Sequence, residues 1–433
     1  MRYTYDEIKG KNYLKVGTFE ECFECENGEE LEGREKNKKK IEPWLSAALQ
    51  SDHLSLLIGA GFTTAICQIA GVPSSSMGKA DFGNYSDKIN SYAMKSAEKL
   101  GRGSDNIEDQ IRTAFSLLQG YEINEDINQY SELAECIDSV LQGFAESILS
   151  SETNLCGKME DENGKRALTL LQTFLLTFAS RTATRERTHI FTTNYDRMIE
   201  YGCDLAGIKI LDRFWGKITP RFEESPSTID YYYHTPDSKN EFRYAEGVVR
   251  YSKIHGSIDW YENKGAVYRD CLRFGANKME LPSGTSYRDH LMIYPNSMKS
   301  VETAFYPYAE LFRDFGSAIC RPSSALFTYG YGFGDTHINK IIKEMLAIPS
   351  THLVIIAYCI DNRLKSFLEQ INMAQVTLLA GKEFASLENL VEYYLPKAAI
   401  DTLTTTASRL IESRMSFSKA GDIGSEGGDS LDE

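Results

Sequence analysis

Short apolar runs alternating with helical patterns constrain this chain more than any other feature. HLSLLI (His53–Ile58), THIFTT (Thr188–Thr193), KIL (Lys209–Leu211), RYSKIH (Arg250–His255), ALFTYG (Ala325–Gly330), HLVIIAY (His352–Tyr358) and VTLLA (Val376–Ala380) have strand length, and helical patterns separate several of them. A run that is apolar along its whole length has no polar face to turn to water. It needs cover on both sides, which intervening helices supply. The pattern predicts an α/β fold, a Rossmann-like, doubly wound, mainly parallel sheet. Long amphipathic stretches between Tyr85 and Arg187, such as IEDQIRTAFSLLQGY and RALTLLQTFLLTFASRTA, add a large helical insertion.

The opening stretch to Lys40 is polar and ends in the charge run GREKNKKK. It reads as a solvated N-terminal extension (1–40), with a phosphate-binding arm as the alternative. IEPWLSAALQ reads as a helix with Pro43 in its first turn. A single nucleotide-binding domain over 41–400 is expected to carry the helical insertion (85–187) and a turn-rich, aromatic module (212–295) with a hairpin signal at Asn263–Gly265. Residues 401–433 read as a C-terminal helix and an acidic tail rich in Gly and Ser that lacks fixed structure.

Sixty-two Asp and Glu against 47 Lys and Arg give a formal charge of -15. Bulk repulsion therefore argues against nucleic-acid binding and against anionic membranes. No apolar run reaches the ~18 residues that span a bilayer, and MRYTYDEIKG lacks the layout of a signal peptide. A cytoplasmic location is expected. The nine Cys are odd in number and scattered, which suits free thiols, and the one CxxC (Cys22, Cys25) has no second pair with which to build a four-thiolate metal site.

Four segments follow predicted strands, at the rim where doubly wound sheets hold ligands: GAGFT from Gly59, TNYD from Thr193, HGS from His255 and GYGFGD from Gly330. A GxG turn lets backbone approach a pyrophosphate and aims a helix N-terminus at it, although a plain tight turn explains it equally in isolation. Asn194 both donates and accepts, so it suits a ribose hydroxyl or a water; Asp196 suits an amide or caps the next helix. An imidazole at a strand end, as at His255, can work as a base near neutral pH. Each segment is weak alone, and their convergence carries the reading.

Together they resemble the sirtuin superfamily: GAGFT its GAGxS phosphate turn, TTNYDRMIEYGCDLAG its TQNxD-plus-helix segment, HGS its catalytic His-Gly, in the same order. GYGFGDTHIN looks like the version of the later ribose and phosphate loop in bacterial sirtuin-like proteins of anti-phage defence. The resemblance implies that Gly59, Ala60, Gly61, Phe62 and Thr63 form the phosphate turn of a pocket for NAD, the substrate. Thr193, in place of the usual Gln, adjoins the ribose; Asn194 holds the nicotinamide ribose or the attacking water; Asp196 contacts the carboxamide; and His255 is the base. Gly330, Tyr331, Gly332 and Phe333 would line the adenosine side, with Asp335 and His337 near the ribose. Helix capping explains Asp335 as well.

Departures from the family shape the expected reaction. Ser74–Ser76 replace an Asp-Phe-Arg, and Ala357 and Tyr358 stand where an Asn is usual, with Asp361 as a substitute for it. Only Cys271 and Cys320 lie between Ser257 and Pro322, so the zinc module that helps form the acyl-lysine cleft of protein deacylases is missing and no zinc is expected. Hydrolysis of NAD to nicotinamide and ADP-ribose is expected; deacylation, or NAD or ADP-ribose sensing within a larger complex, are the alternatives. The resemblance also implies control by assembly, as a homo-oligomer or with a HerA-type ATPase, which would be a separate subunit because this chain has no P-loop motif.

Overall fold

The computed structural model describes residues 3–24, 30–75, 78–99, 105–223, 230–234, 242–281, 285–290 and 306–397. The expected C-terminal helix and tail, and Cys25 of the CxxC, lie outside the described residues.

Among the described residues nine strands make one sheet: β1 (Asn12–Val16), β2 (Phe19–Phe23), β3 (His53–Ile58), β4 (His189–Thr192), β5 (Lys209–Leu211), β10 (Val248–Lys253), β13 (Ser324–Tyr329), β14 (His352–Ala357) and β15 (Val376–Ala380). Their order is β2-β1-β15-β14-β13-β3-β4-β10-β5. From β15 to β5 every neighbouring pair is parallel, while β1 and β2 close one edge antiparallel. The mainly parallel, Rossmann-like architecture follows the sequence pattern in its parallel strands, while β1 and β2 were not expected.

From the boundary between β3 and β13 the order runs outward as β13-β14-β15 on one side and β3-β4 on the other. That makes the boundary the topological switch point, where connections leave for opposite faces and a crevice opens. β3 feeds α2 (Ala60–Ile69), whose Phe62, Ile66 and Cys67 enter the core on one face. β13 feeds α9 (Thr336–Leu346), whose Ile338, Ile342 and Met345 enter the core on the other.

The helical stretch divides between two cores. α6 (Glu162–Ala179) lays Ala167, Leu170, Leu171, Phe174, Leu175 and Phe178, a helical stripe, onto the sheet. α3 (Ser86–Lys99), α4 (Ile107–Ile123) and α5 (Ile127–Cys156) build a separate core that also takes in Tyr195 and Ile258. Two site loops are thus anchored in the helical layer.

The N-terminal stretch differs from its solvated reading. It supplies β1 and β2 around a Gly17-Thr18 turn, and α1 (Glu30–Leu49) runs through GREKNKKK, leaving Pro43 well inside the helix. Charges in that run find partners: Arg34 Nε donates to Glu383 at 2.8 Å and Lys40 Nζ to Glu21 at 2.7 Å, while Ile41 and Leu45 face the core. Glu and Lys are good helix formers, so a charged run with an apolar stripe behind it continues as helix.

A smaller sheet, ordered β11-β12-β7-β6, joins β6 (Phe214–Trp215), β7 (Arg221–Phe222), β11 (Trp260–Asn263) and β12 (Ala266–Arg269). Lys264 and Gly265 both take positive φ, the geometry of the tight hairpin expected there. β8 (Tyr232–His234) and β9 (Phe242–Tyr244) form a separate ribbon. No helix among the described residues is long and apolar enough to cross a membrane.

Candidate active site

The glycine turn after β3 and the loop after β13 meet at the switch point. Gly59 N donates to Tyr329 O (3.0 Å) and Gly61 N to Gly330 O (3.1 Å), so these two amides close the rim. A Cβ on Gly59 would lie 2.5 Å from Gly330 O, and one on Gly330 2.6 Å from Phe62 N, so neither position has room for a side chain. Gly330 also needs its φ of +64°, which costs other residues strain. Beside this contact a cavity of about 650 Å³ opens, lined by Gly61, Thr64, Gln68, Gly330, Tyr358 and Lys382 among others. It adjoins the N-terminal turn of α2, whose dipole favours negative charge, and its size suits part of a dinucleotide.

On the other side of the turn, Thr63 Oγ1 donates to Asp196 Oδ2 (2.8 Å) and accepts from Asn194 Nδ2 (3.0 Å). One hydroxyl therefore ties α2 to the loop after β4 and sets the rotamers of both loop residues. Asp196 Oδ1 accepts from Met198 N, holding the start of α7 (Met198–Ala206). Asn194 is 5% exposed, and its Oδ1 has no hydrogen-bond partner. An amide with its nitrogen fastened and its buried oxygen unpaired has acceptor capacity left for a ligand or a water.

His255 follows β10, and Gly256, at φ +89°, makes the turn that a side chain would resist. Its ring centroid lies 6.5 Å from that of Tyr195, and Nε2 lies 2.8 Å from Asp335 Oδ2. Lys253 fixes the two loops together. Its buried ammonium donates to the carbonyls of Tyr195 (3.3 Å) and Asp196, and to Glu200 Oε1 (3.0 Å). Burial raises the Glu200 carboxyl above its ordinary range, with Lys253 pulling the other way.

The helical layer holds the same loop. Glu152 of α5, fully buried, accepts from Arg197 N (2.9 Å) and from its guanidinium (2.5 Å to Nη2), which also donates to Leu272 O and Arg273 O. Burial opposes the Arg197 charge, but the bonds and attraction of Glu152 outweigh it and raise the pKa. Tyr195 Oη donates to Glu108 of α4 (3.0 Å).

Three sets of the residues singled out in the sequence are thus brought together. Thr63, Asn194 and Asp196 are joined by hydrogen bonds, His255 by one to Asp335, and Gly59, Gly61 and Gly330 by backbone contact; Thr193 N donates to Ile58 O (3.1 Å) and holds its loop to β3. Ala60 is exposed, and a side chain at Gly332 would meet nothing. Phe62, Tyr331 and Phe333 turn their rings into the cores, Phe333 from a positive φ of 51° and tilted against Phe367 of α10 (Asn362–Leu368) at 4.7 Å. The His337 ring lies edge-on to Phe312 at 6.4 Å, and Asp361 caps α10 through Leu364 N.

Lys253, Glu152 and Arg197 were not singled out. For Lys253 the sequence carried a signal, a lysine inside an otherwise buried strand; Glu152 and Arg197 sit 45 residues apart in ordinary helical surroundings and carried none. Among the described residues no three His, Cys, Asp or Glu side chains cluster as metal ligands do.

Residues 188–375 match the family model described as SIR2-like domain, which supports a Sir2-type domain in this part of the chain. The match contains the loops at Asn194, His255 and Gly330, and the fold brings the Gly59 turn, outside the matched range, against the last of them. No curated protein matches the chain.

Proposed function

We propose that the carboxyl rim of the sheet binds NAD and hydrolyses its nicotinamide–ribose bond. The observation that carries this reading is the unpaired, buried Oδ1 of Asn194, held in place by Thr63 and next in the chain to Tyr195, whose ring centroid lies 6.5 Å from that of His255. Domains of the SIR2-like type act on NAD, and the cavity beside the glycine turn suits the adenosine half of the dinucleotide.

In the reaction the C1′–N bond breaks and its electron pair stays on nicotinamide, which leaves neutral while the sugar becomes oxocarbenium-like. Asn194 Oδ1 accepts a hydrogen bond from the attacking water or the ribose hydroxyl. His255 takes the proton released as the new C–O bond forms, and ADP-ribose results. Fixed dipoles and an enclosed rim stabilise developing charge without reorganisation, which is where most of the rate arises. Water is favoured over an acyl group as acceptor because the hairpin β11–β12 directly follows the His-Gly turn, the place of the zinc module in deacylases.

NAD consumption of this kind, restrained until a partner subunit or self-assembly releases it, would serve anti-phage defence. The test is chromatography of NAD incubated with the protein, alone and with the product of a neighbouring gene, beside Asn194→Ala and His255→Ala. We expect nicotinamide and ADP-ribose from the parent and a loss on the order of 10²–10⁴-fold in each variant. Equal turnover by parent and variants would refute the assignment of these residues. Tight ADP-ribose binding without turnover would make the chain a sensor instead.

A further inference from the structure

We infer that Asp335 is a positioning residue that fixes the tautomer of His255 and so selects which ring nitrogen acts as base. Its carboxylate does two things at once. Oδ1 accepts from His337 N (2.9 Å) and Ile338 N (3.3 Å), capping α9, while Oδ2 lies 2.8 Å from His255 Nε2. Asp335 is 8% exposed, in a loop braced by Asn339 Nδ2 on Phe333 O (2.8 Å) and by the Tyr331 hydroxyl, 3.0 Å from Asn339 Oδ1. An ionised carboxylate only accepts, so Nε2 carries the proton of the neutral ring and the lone pair resides on Nδ1. This is the service a buried aspartate gives the histidine of a Ser-His-Asp triad, here performed by a helix cap.

The double duty yields an unusually clean variant. In Asp335→Asn the side-chain oxygen must remain over His337 N and Ile338 N, because the amide nitrogen would place donors against donors there. The nitrogen then occupies the position of Oδ2 and donates to Nε2. That forces the ring proton to Nδ1 while the cap survives, Asn being as good a cap as Asp.

The experiment uses full-length protein labelled with ¹⁵N-histidine at about pH 9, where an ordinary imidazole is neutral. His255→Gln identifies the His255 signals among those of the seven histidines. We expect a protonated Nε2 in the parent and a protonated Nδ1 in Asp335→Asn, with melting temperatures alike. Asp335→Ala, which loses the cap, should melt lower. Resting on the function proposed above, the kinetic arm expects kcat for NAD cleavage to fall on the order of 10³–10⁴-fold in Asp335→Asn with KM little changed. The same tautomer in parent and variant, or a protonated Nδ1 in the parent, would overturn the inference. A parent that leaves NAD intact would sink the proposed reaction while leaving the tautomer measurement to stand or fall by itself.

Discussion

At the amino ends of β3, β4 and β10 a cavity of about 240 Å³ is walled by His53, Glu186, Arg187, Arg213, Arg250 and Arg321, whereas the carboxyl ends of the same strands carry Asn194, His255 and the glycine contact. The amino rim is rich in charge, and that charge is matched internally. Arg187 and Arg250 share Asp230, Arg213 grips Asp314 at 2.6 Å, and Glu186 serves both His53 and Arg321. The carboxyl rim holds its side chains just as firmly but leaves the buried Oδ1 of Asn194 unmatched. Paired charge is spent within the fold, whereas a fastened group with unfilled hydrogen-bonding capacity keeps that capacity for a ligand.

The largest effect that would test this contrast is on stability. Arg187 and Asp230 are 3% and 5% exposed, and Asp230→Ala leaves a buried guanidinium without its carboxylate. A loss of about 3–5 kcal/mol is expected in denaturant titrations, with NAD cleavage per folded molecule unchanged. A selective loss of turnover there would erase the division between the rims. Next, Gly59→Ala forces backbone apart at the switch point and should cost about 1–3 kcal/mol together with most NAD binding, measured by melting and by ligand titration.

A third effect depends on pH and belongs to the amino rim. Burial, then Arg250 and Arg213, pushes His189 down to about 3. The folded protein refuses a proton that the unfolded chain accepts below its ordinary value of ~6.5. Stability from this residue is therefore complete above that value and is lost as pH falls from there towards 3, with a slope of at most about 1.4 kcal/mol per unit. His189→Gln should flatten the acid limb of the melting profile. His352, pushed down to about 4 by burial and then by Lys15, acts in the same direction and keeps a residual slope. The smallest effect is the control: Lys158 and Asp161 pair at 2.8 Å but are 47% and 52% exposed, so Lys158→Ala should change stability by less than about 0.5 kcal/mol and turnover not at all.

Strands apolar along their length, such as HLVIIAY, declared a covered parallel sheet, and the loops after them marked its carboxyl rim as the candidate site, because both signals are local. β1 escaped notice: NYLKV places a lysine in a buried strand, and only the fold reveals that Lys15 Nζ bonds Met373 O (2.7 Å) and Val376 O (3.0 Å) across the sheet edge. At the site, Asn194, His255 and Thr63 were legible as residues, but the hydroxyl bridge from Thr63 to Asn194 and Asp196 was not. Such pairings join positions more than 130 apart in the chain, and no periodicity encodes them. Asp335 shows the limit most clearly, since a cap is a local signal and its second bond to His255 is not.

The clasp of Glu152 and Glu108 on Arg197 and Tyr195 makes two long helices the mounting for the loop between β4 and α7. A nucleotide that draws this loop inward does work against α4 and α5. If the rim binds a nucleotide in that way, reciprocity requires that a partner held by those helices alter nucleotide affinity by the same factor as the nucleotide alters the partner's.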